Sequence, residues 1–307
     1  MYGVLVGFAV IGLVVFAGYL VRRLDVLPGE AQRHLNLFVF FAASPALLFT
    51  VVAKLPVASL FTEYLLVALI ALVSMVVIST LVSRFFLGQP APESLLAGLA
   101  SGVANTNNMG LPVAAYVLGG EQYAAPVLML QVVMITPLSL ALLDITVRGR
   151  VSWKDVALQP VRNPIIIGSL LGFVVSVTGL QLPAEVYAPF ELLGGAAIPV
   201  ILFAFGMSLR GSKPLADTVD RRPVVFAVLF KMVAMPLTAW LLGKFVFGLS
   251  DHLLFAATVV AALPTAQNVW NYAVRFQRGE QMVRDIVLFT TFLSMPVILL
   301  IALLLGV

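Results

Sequence analysis

The chain has 307 residues, of which 61% are hydrophobic and only 10% charged, with a formal net charge of +4 and no cysteine. A soluble protein carries about 25% charged residues, so this composition points to an integral membrane protein and away from a nucleic-acid surface. Without cysteine, disulfides, thiolate chemistry and Cys-based metal sites are excluded.

At roughly 20 residues per span, ten helices use about 200 residues and leave short loops. No stretch is polar enough for a separate soluble domain, and no basic region precedes the first apolar run, so no signal peptide is expected. The predicted spans are 2–21, 34–53, 64–83, 94–118 and 122–147, then 163–180, 189–209, 223–247, 253–274 and 284–306. Loops after the odd-numbered spans hold Arg22, Arg23, Arg33, Arg84, Arg148, Arg150, Lys154, Arg162, Arg210, Lys213, Arg221, Arg222, Arg275, Arg278 and Arg284. Those are 15 of the 18 Lys and Arg residues, against Lys54 and Lys244 in the opposite loops. The positive-inside rule then puts both termini outside a plasma (inner) membrane.

Short matches recur in the same order in the two halves. Ala42-Ala43-Ser44-Pro45 answers Ala196-Ala197-Ile198-Pro199; Leu111-Pro112 answers Leu263-Pro264; Gly120-Glu121-Gln122 answers Gly279-Glu280-Gln281; Pro137 answers Pro296. The expectation is two repeats, about 1–147 and 160–307, of five spans each. Five is odd, so the second copy is inverted in the membrane, as alternating access requires.

Spans four and nine stand apart. Between Glu93 and Glu121 there is no charge, yet Ser101 to Pro112 holds Asn105, Thr106, Asn107, Asn108, Gly102, Gly110 and Pro112. Proline lacks a backbone donor and clashes with the preceding turn, so the helix is expected to break or kink near Pro112. Pro264, followed by Gln267, Asn268 and Asn271, marks the matching break in span nine. Broken backbone at membrane depth is tolerated only where protein or a water-filled cavity satisfies it, and paired breaks point to a transport site. Helices resuming after the two prolines would present two positive dipole ends, suited to a carboxylate. Asn105, Asn107, Asn108, Gln131, Gln267, Asn268 and Asn271 would supply hydrogen bonds, the alternative being that amides merely cap freed backbone or join helices.

Lys231 lies nine residues past Arg222, about 14 Å into its helix. A charge at that depth either meets a substrate carboxylate, takes the place of a coupling cation, or bonds to carbonyls beside Pro236. Asp144 and Arg148 are spaced as a helix-end pair, and Tyr116 and Trp270 could wall an apolar pocket. His34 and His252 fall at opposite faces, so no His-metal site or catalytic triad assembles. Neither an enzyme nor a cofactor is indicated.

The run Asn105-Thr106-x-x-Met109-Gly110-Leu111-Pro112, with Asn163-Pro164, Lys231 with Pro236, and Ala262-Leu263-Pro264, resembles the auxin efflux carrier family, whose members include bacterial malonate and malate permeases and the plant auxin exporters. The resemblance implies a ten-helix fold of inverted repeats like that of the bile-acid symporters and sodium/proton antiporters. Spans 1, 2, 6 and 7 would form a scaffold that often dimerises. Spans 3, 4, 5, 8, 9 and 10 would form a transport domain, with Asn105 on the substrate carboxylate and Gly110, Pro112 and Pro264 at the crossover. The substrate implied is a small organic anion, a malonate- or malate-like dicarboxylate or an auxin-like acid. Two rival readings are a sodium- or proton-coupled symporter and a non-transporting membrane receptor.

Overall fold

A computed structural model describes residues 2–54, 62–149, 158, 163–209 and 221–305. Five of the basic residues used for orientation, Arg150, Lys154, Arg162, Arg210 and Lys213, lie outside the described residues. The regular structure that is described is helical. The long helices are α1 (Tyr2–Arg23), α2 (Glu30–Lys54), α3 (Glu63–Phe86), α5 (Glu121–Arg148), α7 (Ala184–Ser208), α8 (Arg222–Val246) and α10 (Glu280–Leu305), with a shorter α6 (Pro164–Thr178). Two further helices are interrupted: α4a (Ala91–Gly102) is followed by α4b over 106–118, and α9a (Asp251–Ala261) by α9b (Gln267–Phe276).

Among the described residues six helices, α2, α3, α5, α7, α8 and α10, are long and apolar enough to cross a membrane. Large apolar side chains such as Ile70, Val77, Leu171 and Leu241 face outward. In lipid that is the stable arrangement, because helices satisfy their own backbone and present apolar bulk to the bilayer. The protein is an integral, multi-pass membrane protein.

The helices pack in two neighbourhoods. One gathers α1 on α7 and α6 on α2; the other gathers α3 on α4a, α9a on α3 and α8, and α10 on α8 and α9b. Close approach needs small residues in a bilayer, where apolar burial alone gives no drive to associate. Gly168 of α6 shows why: a Cβ there would collide with the Pro45 carbonyl of α2.

Proline acts here differently from the expectation at Pro112. Widened π-turns cover Val39–Ala43, Thr106–Gly110, Gln131–Ile135 and Phe230–Ala234. Each ends two residues before a proline, namely Pro45, Pro112, Pro137 and Pro236. The wider turn relieves the clash of the proline ring with the preceding carbonyls, so the helix runs on. Of the break or kink expected near Pro112, the break falls earlier: Gly110 and Pro112 sit inside α4b, about two turns beyond the interruption at 103–105, and only a widened turn precedes the proline.

A second regularity was not visible in the sequence matches. Leu87 N donates to Val82 O and Gln89 N to Ser83 O; Phe247 N donates to Leu242 O and Leu249 N to Gly243 O. Gly88 and Gly248 each take a left-handed φ, +67° and +59°. The same turn thus joins α3 to α4a and α8 to α9a, every position shifted by 160.

Candidate functional site

The two interruptions meet and satisfy each other. Val103 leaves α4a in extended conformation (φ −82°, ψ 119°), and Ala104 forms an antiparallel bridge with Thr265. Asn105 N donates to Pro264 O at 2.8 Å, and Ala266 N to Val103 O at 3.0 Å. Thr265 fixes the crossing from both sides: its Oγ1 donates to Ala100 O (2.6 Å), and its N–H donates to Thr290 Oγ1 (3.1 Å) of α10. Val103, Ala104, Pro264 and Thr265 are buried. Each break supplies the partners that an isolated break in a membrane would lack.

Both resumed helices begin at this crossing. Asn105 caps α4b, its Oδ1 accepting from Asn108 N at 3.2 Å. Asn107 Nδ2 donates to Asn108 Oδ1 (2.8 Å), while Asn107 Oδ1 finds no hydrogen-bond partner among the described residues. Gln131 Nε2 donates to Thr106 Oγ1 (3.1 Å) and ties α5 to the start of α4b. At α9b the preceding Ala266 offers no side-chain cap, and Gln267, Asn268 and Asn271 are exposed on one helical face.

Two cavities flank the crossing. One, about 240 Å³, is bordered by Gln131, Thr136, Asn163, Asn268, Asn271 and Tyr272. The other, about 330 Å³, is bordered by Gln32, Phe205, Ser208, Trp270, Arg284 and Thr291. Asn36, Asn105, Asn108 and Gln267 border both, so the amide cluster stands between them. The walls come from the early turns of α2 and α10, the last turn of α7 and the Asn163 cap of α6, at the end of the molecule that carries Arg22, Arg222, Arg275 and Arg278. Beyond the crossing the opposite way, Leu111, Val113, Ala114, Ala124 and Ala125 are buried and close the space.

The seven amides anticipated from sequence all border these cavities. Lys231 does not. Its side chain is fully buried, and Nζ donates to Met235 Sδ (2.9 Å) and to Ala261 O (3.3 Å), the last residue of α9a. Of the readings given for Lys231, the contact seen is the one to a backbone carbonyl: the helix register turns Nζ toward the carbonyl end of α9a, at the negative end of the helix dipole, and it borders neither cavity. Gly110 and Pro112 are likewise buried away from both cavities, whereas Pro264 lies at the crossing through its carbonyl. Of the two aromatics proposed as a wall, Trp270 borders a cavity, while the Tyr116 carbonyl faces Gly7 of α1. Asp144 and Arg148 form the expected pair at 3.1 Å.

Asn36, Thr136, Tyr272 and Arg284 were missed. Tyr272 Oη donates to Thr136 Oγ1 (3.2 Å), linking α9b to α5 across one cavity. No local pattern marks Asn36 or Arg284, which sit in the second turns of α2 and α10, polar like any helix start. Asn163 had a signal, since it caps α6 just before Pro164, its Oδ1 accepting from Ile165 N at 3.0 Å.

Comparison with known proteins points to membrane transport. A family described as "Membrane transport protein" matches residues 4–152 and 147–302. A protein of Rhizobium meliloti (strain 1021) named "Putative malonate transporter" is 26% identical over 294 residues, covering 92% of this chain and 90% of that protein. "Uncharacterized transporter YfdV" of Escherichia coli (strain K12) is 22% identical over 273 residues, covering 86% and 85%. Nearly the whole chain is thus accounted for by transport proteins, and it belongs to this membrane transport family, the auxin efflux carriers that its Asn105 to Pro112 run resembles.

Proposed function

We propose that the protein is a secondary carrier of small organic anions that works by alternating access, with a substrate carboxylate held where α4 and α9 cross. The observation that carries this reading is the meeting of two helix N-termini beside seven amide side chains on two cavities. Such ends favour an anion, and neither cavity is bordered by a carboxylate among the described residues. With Oδ1 of Asn105 engaged in the cap, the group it has left for a ligand is its Nδ2 donor, the polarity a carboxylate requires.

In this reading the interrupted helices belong to ten spans in two inverted five-span repeats. The recurring turn at positions 82–89 and 242–249 supports it. Helices α1, α2, α6 and α7 act as scaffold, and α3, α4, α5, α8, α9 and α10 move as the transport unit. The basic end faces the cytoplasm of the inner membrane, and the cavities open there, so the conformation is inward-facing. A dicarboxylate of the malonate class is the favoured substrate, in keeping with the name of the Rhizobium meliloti relative.

The test is Asn105→Ala in the purified protein and in proteoliposomes supplied with external radiolabelled malonate. Binding and uptake should weaken about tenfold to a hundredfold, since a hydrogen bond to a charged group contributes about 1.5–3 kcal/mol, while the protein stays folded by melting in detergent. Unchanged malonate affinity would overturn the crossover assignment.

A further inference from the structure

We infer that Arg284 is a specificity residue that receives the second carboxylate of a dianionic substrate, making this site selective for dicarboxylates over monocarboxylates. The inference rests on the carboxylate reading of the crossing and adds to it a residue and a charge. Among the described residues bordering the two cavities, Arg284 is the single charged side chain; the rest are amides, hydroxyls, aromatics and aliphatics. It shares its cavity with Asn105, Asn108 and Gln267, so one open cavity of about 330 Å³ is lined both by residues of the helix N-termini and by a guanidinium.

Helix geometry places it there. Arg284, Val287, Leu288 and Thr291 of α10 border the cavity at spacings of three, four and seven residues, which is one helical face. Thr290, one residue back, anchors the crossing through Thr265 N, so the face that carries Arg284 is fixed relative to the amide cluster. Its own neighbour holds it loosely. Nε and Nη2 both reach the same oxygen of Asp285 at 3.4 Å, longer than the roughly 2.7–2.9 Å of a good charged hydrogen bond. The Asp285 side chain is fully buried while that of Arg284 is 43% exposed, so the arginine keeps accessible surface beside the ion pair.

The two ends call for different chemistry. Amides and helix termini carry partial charges and can hold one carboxylate, oriented by hydrogen bonds. A second carboxylate entering a mostly neutral cavity lacks a counter-charge unless a cation meets it, and guanidinium offers a planar fork matched to carboxylate geometry. A monocarboxylate leaves Arg284 unused.

The experiment compares malonate with its monomethyl ester, close in shape but with one charge, by isothermal titration on the purified full-length protein. The wild type should bind malonate at least about tenfold more tightly than the ester, and Arg284→Gln should lose about tenfold to a hundredfold in malonate affinity while ester affinity is unchanged. Arg284→Lys, which keeps the charge but loses the fork, should fall between them. Equal weakening of both ligands in Arg284→Gln, or unchanged malonate affinity, overturns the assignment while leaving the crossover reading intact. Loss of both ligands in Arg284→Gln with both restored in Arg284→Lys marks a structural role and also overturns it. A wild type that binds neither acid overturns the carboxylate reading itself.

Discussion

The interruptions in α4 and α9 solve one problem with different chemistry. Each leaves a half-helix whose last carbonyls have lost their partners. At the end of α4a a neutral hydroxyl answers, Thr265 Oγ1 donating to Ala100 O at 2.6 Å. At the end of α9a a buried lysine amine answers, Lys231 Nζ donating to Ala261 O at 3.3 Å. The resumed helices differ too, since α4b is capped by its own Asn105 and α9b has no side-chain cap. A repeated backbone plan therefore carries unlike polar groups. The α9 break holds an amine whose charged form costs energy to bury, and the α9b terminus is the one without a side-chain cap.

Substitutions at the two breaks sharpen this contrast, and the largest effect falls on Lys231. Replacing it with alanine removes a fully buried side chain and should cost about 3 kcal/mol of stability, read by thermal unfolding in detergent. Lys231→Met fills the same space without a charge, so its melting temperature should match or exceed that of the wild type while transport falls below about a tenth. That combination is the sign of a charge retained for function against its desolvation cost. A methionine variant that melts lower and transports normally would make the lysine amine a structural cap only.

Thr265→Val is next. It keeps the shape of the side chain but leaves Ala100 O buried and unpaired, which should cost about 2 kcal/mol. If it melts like the wild type, the crossing is held by backbone pairing alone.

Asn105→Ala removes the α4b cap and should cost about 1 kcal/mol, with the weaker malonate binding described above. Gln267→Ala should be the mildest. Gln267 is exposed and caps nothing, so the melting temperature should not move, and malonate affinity should drop only about threefold to tenfold as one solvent-competed hydrogen bond from an exposed side chain is lost. A larger fall in stability at Gln267 than at Asn105 would reverse the comparison between the two termini.

Much of the site was legible because polar residues in a bilayer-length apolar run are expensive and therefore informative. Asn105, Asn108, Gln267, Asn268 and Asn271 stood out for that reason alone, and the structure brings them to one pair of cavities. Proline misled. Pro112 looked like the break, but a π-turn over Thr106–Gly110 absorbs it, as similar turns precede Pro45, Pro137 and Pro236. The true interruption at Val103-Ala104-Asn105 has no breaker of its own beyond Gly102, because it is stabilised by pairing with Pro264, Thr265 and Ala266, far away in sequence.

Composition and hydropathy by themselves determined that this protein lives in a membrane, where its helices run and which of them carry polar interruptions. Those properties follow from local transfer energies that each segment pays independently. Only the tertiary structure decided that Lys231 turns to the carbonyl end of α9a rather than to a cavity, that Arg284 borders one, and that the crossing falls at Ala104 and Thr265. Those outcomes depend on helix rotation and long-range pairing, in which a residue's role is set by whichever partner the fold brings opposite it.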